Sequence, residues 1–174
     1  MGQAKKEALS IEKLAENLAT FAIDRNDLKM LMQGIPDNSD LNLTSVEYEL
    51  QILKILSVGW AISFYMPAGD NKTDLSRIFW EYIREISKNI SNLTETTTGE
   101  SVDYFSILKE RLDDYVKIMQ ENPNGESEPS MVMGPAFAEA CNSPGNAIAV
   151  LTGTKMFTLT LGGVKEYLNA VEIQ

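Results

Sequence analysis

Hydrophobic positions recur every three or four residues along most of the chain, the spacing of one buried helix face. Ile11, Leu14, Leu18 and Phe21 open the pattern, Leu28 and Met32 continue it, and Arg25 interrupts the stripe. The expected element is a helix bent or split at Asp24-Arg25-Asn26-Asp27, with Asp24 or Asn26 capping the second piece, and closed by Gly34 and Pro36. Thr44-Ser45-Val46-Glu47 reads as a capping box: the Thr44 hydroxyl accepts from the NH three residues on, and Glu47 reaches back to the Thr44 NH. The helix that starts there, about 44–66, carries two stripes. Val46, Leu50, Leu53, Trp60 and Phe64 form one, and Ile52, Leu56, Gly59, Ile62 and Met66 the other. A helix apolar on two faces is surrounded by neighbours, so this one should be central.

A third helix should open near Thr73 or Asp74, burying Leu75, Ile78, Phe79, Tyr82, Ile83, Ile86, Ile90 and Leu93 and turning Arg77, Glu81, Arg84, Glu85 and Lys88 to water. The polar run 92–101 reads as a flexible connector. A fourth helix, about 101–121, spaces Phe105, Leu108, Leu112, Tyr115 or Val116, and Met119 for one face. Residues 122–130, with two prolines, a glycine and two acids, read as disordered. A short helix should follow from Met131, with Pro135 in its first turn, ending at Asn142-Ser143-Pro144-Gly145. Met156–Leu161 alternates like a strand when taken alone. Ala147, Val150, Thr154, Phe157, Leu161, Val164, Leu168 and Val171, however, keep spacings of 3 and 4 throughout, and one long helix is the better reading. Gly153, Gly162 and Gly163 then fall inside a helix. Each costs up to ~1 kcal/mol there relative to alanine, and close approach of another backbone would offset that; otherwise the helix breaks at Gly162-Gly163.

Length and composition agree with these elements. At 174 residues, with 44% hydrophobic and 23% charged side chains, the chain suits one domain, residues 1–174, burying roughly 70% of its unfolded surface. The expected fold is all-α, an antiparallel bundle of four long helices plus a short fifth around the helix at about 44–66.

The absence of histidine removes Ser-His and Cys-His couples, histidine-containing zinc or di-iron sites and imidazole acid–base chemistry. No phosphate-cradling glycine loop is present, so no catalytic residue, metal or other cofactor is assigned. Three carboxylate groups, Glu47 with Glu49, Glu81 with Glu85, and Glu110 with Asp113 and Asp114, read as solvated helix surface. Cys141, the single thiol, reads as a buried filler. A net charge of -10 disfavours nucleic acid and anionic membranes as partners. The start of the chain carries charges where a signal peptide needs an apolar core, and Ile52–Met66, the longest apolar run, falls short of the ~20 residues that span a bilayer. A cytoplasmic protein is expected.

What remains is binding. Trp80, at the margin of its helix's stripe, and Met131, Met133 and Phe137, on the short element after the polar run, are the candidate partner-binding residues. Trp60, Phe64, Tyr65 and Met66 are the candidate lining of an apolar pocket. The expected function is a non-enzymatic protein-interaction or scaffold domain whose partner is protein, a second copy included. The alternative is a bundle that binds a small apolar ligand.

Overall fold

The computed structural model describes residues 6–122 and 128–174. Its elements are β1 (Glu7–Leu9), α1 (Ile11–Ile23), α2 (Asn26–Gln33), α3 (Leu43–Tyr65), α4 (Asp70–Thr98), α5 (Tyr104–Glu121), α6 (Pro129–Ala140), α7 (Ala147–Ala170) and β2 (Val171–Ile173). The fold is all-α. Among the described residues four helices are long, α3, α4, α5 and α7, but three shorter ones accompany them where one was expected.

The central helix is α3. Leu50, Ile52, Leu53, Ile55, Leu56, Val58, Ala61 and Ile62 are all buried, and α3 touches every other helix. The most extensive packing runs from α7 onto α6 on one side and onto α3 on the other, while α4 lies chiefly on α1.

Local chemistry explains the departures in helix boundaries. The split between α1 and α2 falls where Arg25 predicted it, and the Asp24 carboxylate accepts from the Asn26 N–H at 2.9 Å. Asn42, not Thr44, caps α3, accepting from Ser45 N–H at 3.0 Å; Glu47 leaves the expected capping box and pairs with Arg25 instead. Helix α4 starts earlier than expected and runs through most of the supposed connector 92–101. The threonines that suggested flexibility return their hydroxyls to the preceding turn: Thr94 to Ile90 O, Thr96 to Asn92 O and Thr98 to Thr94 O, at 2.7–2.9 Å. Gly99 then ends the helix in the left-handed conformation, φ 74°.

Of the run 122–130, Pro129 and Ser130 belong to α6, where Pro129 occupies the first turn; 123–127 lie outside the described residues. Pro135 falls inside α6 instead of in its first turn. Helix α7 is unbroken through Met156–Leu161 and through Gly162-Gly163. By length and composition, with a mean hydropathy of 1.4 over its most apolar window, α7 could cross a membrane. It is longer than Ile52–Met66, the apolar run singled out above for that comparison. In this fold 39% of the window is buried.

The β elements are three residues each and pair in parallel, Glu7 with Val171 and Leu9 with Ile173. They tie the start of α1 to the end of α7 and are too short to show a period in the sequence.

Candidate functional site

Among the described residues, helix α3 carries the most deeply buried charges. Glu49, expected on a solvated surface, is 4% exposed, because its neighbours on the same face, Val46 and Leu53, point into the core. Arg111 of α5 reaches it with a forked pairing, Nη2 to Oε1 at 2.8 Å and Nε to Oε2 at 3.0 Å. One turn further on, Lys54 is fully buried. Its ammonium donates to the Asp24 carbonyl at 2.7 Å, lies 3.5 Å from Asp27 and stands over the Phe21 ring at 4.5 Å. Gln51 donates to Ala22 O at 2.9 Å. The free carbonyls where α1 ends are thus taken by side chains of α3, and the α1–α2 bend is fastened to the centre of the fold. No motif announced Lys54; its only signal was a cation inside an otherwise apolar run.

Around the Glu49–Arg111 pair stand Tyr104, Tyr115 and Cys141, all buried. Burial, with Glu49 adding its negative charge, raises the two phenols well above the ordinary tyrosine range. The same causes push the Cys141 thiol up to about 12. These groups hold their protons and cannot serve as thiolate or phenolate nucleophiles near neutrality. Two results are expected. The native protein resists iodoacetamide at pH 8 and reacts once unfolded. Because the folded thiol keeps its proton to about 12 while the unfolded one ionises near 9.0, stability falls as pH rises between those values; Cys141→Ala removes that portion of the loss, and an unchanged alkaline profile would contradict the assignment.

The structure scatters the anticipated pocket residues. Trp60 lines a small cavity with Leu112, Tyr115, Met133 and Phe157, and its volume of about 10 Å³ is that of one water. Neither Trp60 Nε1 nor the Tyr115 hydroxyl has a hydrogen-bond partner among the described residues. Phe64 is 61% exposed and packs edge-on against Tyr65. Met66 lies apart, in a groove that Pro67, Leu168 and Ile173 also line.

The partner-binding candidates divide as well. Met133 and Phe137 are buried within the chain, which corrects their placement on a docking face. Gly153 of α7 makes room for Phe137: a Cβ on it would fall 2.6 Å from the phenylalanine Cβ. Trp80 lies against Gly59 of α3 in the same manner, with a hypothetical Cβ 2.5 Å from its ring, and meets Phe79 edge-on. Met131 alone is largely exposed, at 65%.

Large apolar side chains stay exposed at several places among the described residues, Met30 and Phe64 among them, and so do Tyr82 and Leu93, which the period of α4 placed on its buried face. The outward face of α7 presents Leu151 and Leu159, 54% and 45% exposed, with Lys155, Thr158, Gly162 and Glu166 on the same side of the helix. Gly153 and Gly163 are explained by Phe137 and Phe21 against them, but no atom lies within 4 Å of where a Gly162 Cβ would stand. An exposed glycine in a helix interior costs ~1 kcal/mol relative to alanine with no contact in the chain to offset it. The helical period of α7 does not by itself fix which face this glycine occupies. Compared with known family models, curated proteins and solved structures, the chain matches none.

Proposed function

We propose that this chain is a non-enzymatic interaction or scaffold domain whose partners are proteins, its own copies included. The observation that carries the reading is the row on α7 where two leucines and an uncovered glycine face outward. Buried polar side chains support it from the other side: Glu49 and Lys54 are engaged by Arg111 and by the end of α1, and the thiol and phenols are held protonated. A ligand-binding bundle built on Trp60 would need a cavity, and the volume beside that residue suits one water. Sedimentation equilibrium of the purified chain tests the proposal. Reversible assembly above the 19.3 kDa monomer mass is the expected outcome; a single monomeric species at every concentration, with no protein retained from native lysate, opposes it.

A further inference from the structure

We infer that the outward face of α7 is a homodimer interface in which two copies of the helix pack antiparallel, each Leu159 seated over the partner's Gly162 and each Lys155 paired with the partner's Glu166. This rests on the interaction reading above and names the surface and the mate.

The argument is one of self-complementarity. An isologous contact requires that a residue on one side of the two-fold find its complement at the same distance on the other side. The midpoint between Thr160 and Leu161 provides this for two unrelated chemistries at once. Leu159 and Gly162 stand one and a half residues to either side, a projecting side chain and an empty site. Lys155 and Glu166 stand five and a half residues to either side, opposite in sign. They are also eleven residues apart, which is about three helical turns, so both lie along the middle of the face, between Leu159 on one flank and Gly162 on the other. A two-fold perpendicular to antiparallel helix axes sets the two midlines against each other, bringing each Lys155 level with the partner's Glu166 and each Leu159 level with the partner's Gly162. Neither Lys155 nor Glu166 has an ion-pair partner among the described residues.

Charge also decides between this mate and a lipid surface. Two opposite charges set into the middle of the face suit a protein that supplies their counterparts and are costly in hydrocarbon. A single helix face falls at the small end of specific interfaces, below about 1,200 Å², so a reversible, concentration-dependent dimer is expected.

The test is a charge-reversal cycle on the full chain, read by sedimentation velocity with circular dichroism to verify folding. Lys155→Glu and Glu166→Lys each set like charges together twice per dimer and should weaken association at least about tenfold. The combination K155E/E166K restores opposite signs and should return it to near the wild-type value. Gly162→Leu fills the empty site and should also disperse the dimer while leaving helicity intact. A wild-type dimer that ignores the single reversals, or a double reversal that fails to recover, overturns this interface while leaving self-association standing. A strictly monomeric wild type overturns both. Flotation of the wild-type chain with phosphatidylcholine vesicles, without dimer in their absence, gives the face to lipid and overturns it as well.

Discussion

Gly134→Ala is expected to lower the stability of the chain by about 2 kcal/mol, although the same change in an ordinary helix interior raises it. Alanine gains up to ~1 kcal/mol over glycine in helix propensity. At Gly134, however, the new Cβ would lie 2.2 Å from Thr154 Oγ1 and 2.7 Å from the Val150 carbonyl oxygen. The threonine hydroxyl could rotate away only by giving up its bond to Val150 O, and the carbonyl belongs to the backbone of α7 and cannot rotate at all. The two helices must therefore separate, undoing the packing of Phe137 against Gly153 as they do. Overpacking of this kind costs ~3 kcal/mol at the upper end of its usual range, which outweighs the propensity gain. Gly162→Ala is the control: its Cβ meets open space, so the monomer should become more stable by up to ~1 kcal/mol. Urea unfolding of both variants in the monomeric concentration range measures the pair. If the two alanines shift the midpoint in the same direction, the α6–α7 contact has been misread.

That contrast marks the limit of what the sequence could disclose. Period alone identified α3 as central, because a helix with Val46 and Leu50 on one stripe and Ile52 and Ile62 on another has no side left for water. It also identified α7 as a single helix through a segment that looks like a strand when read six residues at a time. Period says how much of a helix is buried but not against what. Gly134, Gly153, Gly162 and Gly163 are identical in the sequence, yet three are pressed by Val150, Phe137 and Phe21 and the fourth by nothing. Met133 and Phe137 follow the same logic: an apolar element after a polar run reads equally as a docking face or as core, and only the position of α7 decides. The connector 92–101 failed for a different reason. Threonine hydroxyls are counted as helix competitors, but in succession each can bond the carbonyl four residues back and continue the helix until Gly99 stops it. Glu49 was misplaced because acidic side chains were assigned to the surface one helix at a time, and its countercharge comes from another helix 62 residues away.

Arg111→Met should have the largest effect of any single change, about 3 kcal/mol or more, because it strands that carboxylate. Removing one partner of a buried ion pair costs about 3–5 kcal/mol, most of it from the charge left without compensation. Glu49 is 4% exposed and both its oxygens are held by the one guanidinium. The groups that surround the pair, Tyr104, Tyr115 and Cys141, offer no cation to replace it, and the nearby Asp114 carries the wrong sign. The side chain of Arg111 is itself 26% exposed, so water entering the vacated space will recover part of the loss; this places the expectation at the lower end of the range. The pair as a whole is a different matter, since both charges were desolvated to form it. Replacing them together, Glu49→Leu with Arg111→Met, should bring stability back to within ~1–2 kcal/mol of the starting chain, a recovery of about 1–2 kcal/mol over Arg111→Met alone. A single Arg111→Met variant that unfolds less than about 1 kcal/mol early would mean that water already reaches Glu49, as for an exposed pair. A double variant no better than the single one would mean that the two helices are held at this point by the shape of the arginine stem, with the charge contributing little.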